Sequence, residues 1–491
     1  MIETHFMRPR GILFWLFLVA LLNVSGCAIW GPNYEKPQLE TPEAWKSKDS
    51  LARIDGVPLP EMAWWDRFKD PVLNDLIKRA LVQNNSVQSA LGNIFQAKGI
   101  LHQIEMRWVP RVDGGAGYIS VNDSNPLTGA KLPFNSGFSA GFIPNYSINI
   151  LQQLRTQEQA QANLAATRAA KNAVRLGIIS QMTGSYFSLR EEQFRLALQK
   201  SLVEALEDIV KKYTEAHKEG LISAFTLRQF TLQLADARAE IPVIQYNIVR
   251  LGNTIHLLLN ENPGPVAEGL EFMALPYKSI ISGNLPSKVL MNRPDVLSAE
   301  EQLRRSNANI GVNTSFFFPT ISLTTPVGQS SQALSTLFTS PESYWQYQGG
   351  LSMPIVNLGQ FGAIESAKGQ YYTDYYNYQQ TVRGAFASVD SDFASHEKYT
   401  ESLEQMLLFY ETNRQRYENE ETRHKEGLVG MPEVLNLRVT MNQAGIQAAQ
   451  SKLNQLLSIV RLYQDLGGGY EVNNTEDAHD LGDGHRFGDL F

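Results

Sequence analysis

His217-Lys218-Glu219-Gly220-Leu221 recurs, letter for letter, as His424-Lys425-Glu426-Gly427-Leu428. Other landmarks keep nearly the same offset, roughly 208 residues. Val87, Ser89 and Ala90 answer to Val296, Ser298 and Ala299, and Trp108-Val109-Pro110 answers to Phe317-Phe318-Pro319. A fixed long offset marks one structural unit written twice. Each pentapeptide closes a long proline-free stretch, residues 150–216 in the first unit and 358–426 in the second. As one continuous helix, the first stretch would reach roughly 100 Å, far beyond the helices of ordinary globules. The glycines at 220 and 427 predict sharp helix reversals. Return helices are expected from about Ser223 to Leu259 and from Met431 to about Leu466, with Pro242 kinking the first.

Upstream of each long stretch the hydrophobic period changes. A helix is expected from Pro71, capped by Asp70, to about Trp108, where Pro110 ends it. Its apolar residues, Leu73, Leu76, Ile77, Ala80, Val87, Ala90, Leu91 and Ile94, keep helical spacing. Between Gly114 and Ile148 the period becomes two. Phe138, Ala140, Phe142, Tyr146 and Ile148 share one face, and Ser139, Gly141, Asn145 and Ser147 the other. Such a run is long enough to cross a bilayer as a tilted strand. The turn-rich residues 123–136 join it to its neighbour. The second unit repeats the plan: a helix over 295–316 opened by Pro294, then strands at about 320–328 and 344–354, with Pro326 weakening the former.

The chain has 491 residues, 43% of them hydrophobic and 19% charged, with a formal charge of −7. That composition is not a disordered polymer and offers no basic face for nucleic acid. Beyond the N-terminus no run of about twenty apolar residues exists, so membrane insertion has to use strands or a lipid. Enzyme motifs are absent: there is no His-Glu-x-x-His, no Gly-x-Ser-x-Gly and no phosphate loop, and neither catalytic residues nor a cofactor are expected. Gly114-Gly115-Ala116-Gly117 reads as the opening of a strand and Gly467-Gly468-Gly469 as the end of a helix. His217 and His424 fall at helix ends, where a cation suits the dipole, and this reading is preferred to metal binding.

Residues 1–26 read as a signal peptide, with Arg8 and Arg10 before the apolar run Gly11 to Leu22. Cys27 follows and is the only cysteine, so no disulfide forms within the chain. Its setting resembles a bacterial lipobox, although Val24 stands where leucine is most usual. The resemblance implies cleavage before Cys27, lipid on its thiol and amine, and a diderm cell. Ala28 in the next position then points to the outer membrane. Residues 27–70 form a lipidated arm rich in proline and tryptophan; 71–262 and 287–469 are the two repeats, 263–286 a linker and 470–491 a flexible tail.

Four strands cannot close a barrel, and an open edge in lipid leaves backbone groups unpaired at several kcal/mol each. Two copies give eight strands, whose interior side chains fill; three give twelve and leave a wet lumen. A homotrimer follows: a mixed fold, mostly α, with long periplasmic helices forming a tunnel and a twelve-strand transmembrane β-barrel.

The whole mature chain resembles the TolC-type outer-membrane efflux family, in its lipoprotein branch. The resemblance rests on Gly31-Pro32-Asn33-Tyr34 with Pro37, Trp64-Trp65 with Phe68, Asp70-Pro71 with Leu73, and Asn84 to Ala90. It continues through Arg293-Pro294-Asp295-Val296 with Ala299-Glu300, Ile310-Gly311, Phe318-Pro319, Met353-Pro354-Ile355 and Leu466-Gly467-Gly468-Gly469. It implies a passive exit duct docked to a periplasmic adaptor and an inner-membrane pump, with the tunnel in the periplasm. The family closes its periplasmic end just after the second reversal, usually with an aspartate. Here Asn436 stands at that place, with Glu433 nearly a turn earlier and Arg438 beyond, and these three are the gate candidates. The rival reading is a coiled-coil surface lipoprotein, a scaffold or adhesin; it accounts for the lipid and the helices but not for the strands. The cargo and the pump class are not written in the chain.

Overall fold

The computed structural model describes residues 31–39, 52–53, 58–119, 137–278, 282–283, 287–339 and 341–474. The signal peptide, Cys27, the loop 123–136 and the tail beyond 474 lie outside the described residues. The chain divides into two compact units, and each draws on both halves of the duplication. The first takes Met1–Gln38, Phe95–Ala166 and Ala299–Tyr378; the second takes Leu39–Ile94, Thr167–Ser298 and Gln379–Phe491.

The helices are α1 (Pro71–Gln83), α2 (Asn85–Glu105), α3 (Ile150–Lys218), α4 (Ala224–Leu258), α5 (Pro294–Thr314), α6 (Gly359–Lys425) and α7 (Met431–Asp465). The two long helices have 69 and 67 residues and both return helices have 35, so the duplication is kept to within a single turn. Asp70 caps α1 as its sequence suggests, accepting from the backbone N–H of Val72 at 2.9 Å and of Leu73 at 3.3 Å. The single helix expected over 71–108 is broken at Asn84. Its Oδ1 accepts from the N–H of Ser86, capping α2, while its Nδ2 donates to the carbonyl of Leu258. Asn84 therefore ends one helix and starts the next. Pro242 lies inside α4 without ending it.

The first unit holds an antiparallel sheet of six segments: β1 (Arg111–Ile119), β2 (Gly137–Ile148), β3 (Thr320–Thr324), β4 (Val327–Ser331), β5 (Glu342–Trp345) and β6 (Gln348–Ser352). β1 pairs with β2 along its whole length; β2 pairs with both β3 and β4; β3 pairs with β6 and β4 with β5. The result is a meander of four rungs. The third and fourth strands, expected at 320–328 and 344–354, are each split in two. Pro326 has no N–H to give the ladder, and Thr325-Pro326 interrupts the third strand between its two segments. The break is bridged by Thr325 N–H to the Pro144 carbonyl and Gln346 N–H to the Pro326 carbonyl, both at 3.0 Å. The glycine cluster at 114–117 lies within β1 rather than opening it. Gly115, Gly141 and Gly328 lie abreast across three rungs. A Cβ at Gly141 would collide with the Val327 carbonyl, and one at Gly328 with that of Ala140.

Side-chain amides tie the sheet to the helices that leave it. Asn149 Nδ2 donates to the carbonyls of Ser315 and Phe318, and Gln360 Nε2 donates to that of Asn313. In the second unit the core joins Leu202, Leu206 and Ile209 of α3 to Leu234 of α4 and Leu435 of α7. Trp64, fully buried, stacks on Tyr463 with centroids 4.9 Å apart. Gly467, Gly468 and Gly469 end α7 beside it; Gly469 has φ +89°, and a Cβ there would strike the Trp65 ring.

Residues 470–474, expected to open a flexible tail, are packed into the second unit. Tyr470 is buried and donates to the Asn292 carbonyl at 2.8 Å. Arg175 donates to the carbonyls of Tyr470 and Val472, and Asn172 holds Glu471 and Asn474. Five residues of acidic, polar composition are ordered because one buried guanidinium needs acceptors.

Candidate functional site

Residues directly opposite in an antiparallel sheet point to the same side, so the register sorts the side chains. One side carries Val112, Phe138, Phe142, Tyr146, Leu323, Val327, Trp345 and Leu351. The other carries Asp113, Ser139, Asn145, Ser322, Ser330, Glu342 and Gln348. Phe142 is 66% exposed, Trp345 68% and Leu351 71%. A sheet that shows water a row of large apolar groups on one side and hydroxyls and amides on the other is built for two solvents. Among the described residues, β1 has no partner beyond β2, and β5 and β6 have none beyond β4 and β3. Both outer rungs therefore end in unpaired backbone.

The helix reversals, in the second unit, are near copies. Gly220 N–H donates to the His217 carbonyl and Leu221 N–H to that of Ala216; Gly427 donates to His424 and Leu428 to Arg423. This is the paired closure that needs a left-handed residue after the helix, and Gly220 and Gly427 supply it with φ of +78° and +76°. His217 Nδ1 lies 3.0 Å from the Ile222 carbonyl and His424 Nδ1 lies 2.9 Å from that of Val429. Facing an acceptor, each Nδ1 carries the proton, so both histidines lock the turn. Leu221, Phe225 and Leu428 are exposed at these tips.

The three gate candidates separate in their roles. Val434 and Leu435 are buried, and Glu433 and Asn436, three residues apart on one helical face, are exposed. Arg438 turns away: its Nη2 donates to Glu204 at 2.6 Å and to Ser201 at 3.1 Å, both on α3. The charge of Arg438 is met within its own chain, by Glu204 with Ser201 beside it, and nothing near those two in sequence marks the contact. Asn442 donates to the same Ser201 at 3.3 Å.

Further along the second unit, burial perturbs several titrating groups. Burial, with Asp465 alongside, pushes the Asp392 carboxyl up to about 7. Burial takes His396 down to about 4 and Lys452 down to about 8. Lys452 donates to the Met273 carbonyl at 2.6 Å and lies near the rings of Phe272 and Tyr277, so it pins the segment after α4. Among the described residues no three metal-ligating side chains converge, and no helix is long and apolar enough to cross a membrane.

A two-faced meander with long duplicated helices defines a class of outer-membrane channels. The model of the outer membrane efflux protein family matches residues 76–261 and 285–468, once for each repeat. The chain belongs to that family. It is similar to a protein of Pseudomonas putida named as a probable efflux pump outer membrane protein, SepC, with 27% identity over 474 residues, covering 93% of this chain and 97% of that one. It is 26% identical over 471 residues to a probable outer membrane lipoprotein of Salmonella typhimurium, SilC, covering 93% and 100% of the two chains. In fold it is similar to the CmeC outer membrane channel of Campylobacter jejuni, with a TM-score of 0.78 at 22% identity over 91% of this chain and 96% of that one. As a member of that family it is an outer membrane efflux protein.

Proposed function

We propose that three copies of this chain close into one channel, a passive exit duct for substrates delivered by an inner-membrane pump through a periplasmic adaptor. The observation that carries this reading is the pair of open sheet edges beside an apolar face. Lipid offers no partner for unpaired backbone, so β1 of one copy must meet β5 and β6 of the next. Four rungs from each of three copies make a twelve-stranded ring with the polar face inward. The twelve residues of β2 extend about 40 Å, or roughly 28 Å at a tilt of ~45°, which matches the hydrocarbon layer.

Cys27 carries the lipid in this reading, and Glu433 with Asn436 forms the narrow periplasmic ring. Three copies of Glu433 about one axis favour cations and hold divalent ions. No residue here does chemistry on the cargo; energy comes from the pump. Purified protein in a planar bilayer tests the proposal. Steady, ohmic conductance from a species with the mass of three chains is expected. A non-conducting monomer, with or without adaptor and at any pH, would instead support a surface scaffold.

A further inference from the structure

Three parts of the first unit line a cavity of about 380 Å³. α3 contributes Glu158, Ala162 and Ala165, α5 contributes Glu301 and Arg304, and the segment 31–39 contributes Tyr34. The α3 residues are four and three apart and the α5 residues three apart, so each helix presents one face. Contacts on either side of it hold Tyr34 in place. Asn307 donates to the Pro32 carbonyl at 2.9 Å and Arg155 to Asn33 Oδ1 at 3.1 Å. The cavity is larger by about tenfold than the ~30 Å³ share of one bridging water.

Two oxygens of these lining residues stand alone. Tyr34 Oη and Glu301 Oε2 are shut off from solvent and have no hydrogen-bond partner among the described residues. The cations nearby are committed to other atoms. Arg304 Nη1 donates to the second Glu301 oxygen, Oε1, at 3.3 Å, and its guanidinium lies over the Tyr34 ring, 5.1 Å from the centroid. Arg155 Nη1 donates to Glu158 Oε2 at 2.8 Å, and Lys36 Nζ to Glu300 at 2.6 Å. Burial, and after it the Glu300 carboxylate, push the Tyr34 phenol up, and burial pushes the Glu301 carboxyl up. Negative charge in this corner is under-compensated, so the lining suits a positive donor and not an anion. Among the described residues no three metal-ligating side chains converge, which leaves an organic cation.

We propose that this cavity binds a primary ammonium group. Its three hydrogens meet Tyr34 Oη, Glu301 Oε2 and the Glu158 carboxylate, and a short carbon chain lies on the methyls of Ala162 and Ala165. A quaternary ammonium has no hydrogen to give and leaves both oxygens stranded. The ammonium belongs either to a dissolved amine or to an ethanolamine headgroup. Glu158 is eight residues into α3, about 12 Å from the sheet. With the sheet in lipid, as the channel reading above has it, that is beyond a headgroup layer of roughly 5–8 Å, and a dissolved amine is the expected occupant.

The test titrates full-length protein in dodecyl maltoside with butylamine, by isothermal calorimetry at neutral pH and constant ionic strength. A Kd of about 1 mM or tighter is expected, with tetramethylammonium weaker by about tenfold or more. Glu301→Gln keeps the shape, removes the charge and is expected to weaken butylamine about tenfold; Tyr34→Phe is expected to weaken it about threefold. Glu301→Asp keeps the charge and is expected to retain part of the binding, which separates loss of the site from loss of the fold. Ala165→Met fills the space without removing either oxygen and is expected to abolish binding. Glu401→Gln, at an exposed carboxylate on α6 paired with Lys398, is expected to leave the affinity unchanged. Repeating the titration in micelles doped with phosphatidylethanolamine or with phosphatidylcholine identifies the source. Equal affinity in both is expected and means a dissolved amine; weaker binding with phosphatidylethanolamine alone would mean that the headgroup holds the site.

Tetramethylammonium that binds as well as butylamine would overturn the inference, as would Glu301→Gln and Ala165→Met proteins that bind butylamine like the parent. No binding of either cation would mean that water alone meets the two oxygens. A conducting channel without amine binding overturns the ammonium site and leaves the channel reading intact. Amine binding by a non-conducting monomer does the opposite.

Discussion

Tyr186 donates its phenolic hydrogen to the carboxylate of Asp70 across 2.6 Å, and both side chains are fully buried. The same carboxylate caps α1 and accepts from the N–H of Leu270 at 3.1 Å. One anion therefore gathers α1, α3 and the segment after α4. Tyr186→Phe is expected to cost roughly 1–2 kcal/mol, and Asp70→Ala roughly 2–4 kcal/mol because it strands several buried donors. Thermal melts followed by circular dichroism, at one fixed protein concentration, check the order of the two.

The reversals should respond to their glycines. A side chain held at φ near +77° is strained by roughly 1–2 kcal/mol, so Gly427→Val or Gly220→Val should fray its tip without unfolding the helices. Hydrogen exchange is expected to rise over the five repeated residues of the mutated hairpin and stay unchanged in the other. Equal loss of protection in both would mean that the hairpins are not independent.

At the proposed gate the expected changes are opposite in sign. Asn436→Asp adds a carboxylate beside Glu433 and should strengthen block by magnesium about tenfold, while Glu433→Gln should weaken it by a similar factor. Arg438→Ala, whose charge is already met by Glu204, should shift stability by no more than about 1 kcal/mol. Single-channel currents across a magnesium titration separate these cases.

Two neighbours on α6 give the protein contrary pH responses. Asp392 binds its proton more tightly in the folded chain, so its contribution is complete below about pH 4 and is lost as the pH rises through about 7. Asp465, Arg461 and Arg293 are the charged groups facing it. Asp392→Asn should therefore stabilise by roughly 1–2 kcal/mol at pH 8 and do nothing at pH 4. His396 is the reverse: half-buried beside Ser458, its contribution is present above pH ~6.5 and lost as the pH falls toward 4. His396→Gln should flatten the acid side of the curve. Denaturation midpoints at a series of pH values check both.

Much of this was legible in the residues because the signals are local or periodic. The repeated pentapeptide, the alternation over 138–148 and the Asp70-Pro71 cap lie within a few positions of what they control. The break at Asn84 was not legible, since an asparagine inside an apolar period looks like any solvated residue. Its purpose is a carbonyl 174 positions away. Arg438 with Glu204, 234 positions apart, is hidden for the same reason. The order of Tyr470 to Asn474 runs against its composition, because that segment is fixed by what Arg175 requires rather than by what it can bury itself.

Rolling a ribbon into a narrow cylinder needs a place to crease. Gly115, Gly141 and Gly328, abreast and without side chains, form such a line, where neighbouring rungs can tilt sharply against one another. In a ring of three copies that line would recur three times, giving the mouth of the duct corners rather than a smooth circumference. A bulky residue there would leave every ion pair and helix untouched and still stop the wall from going round.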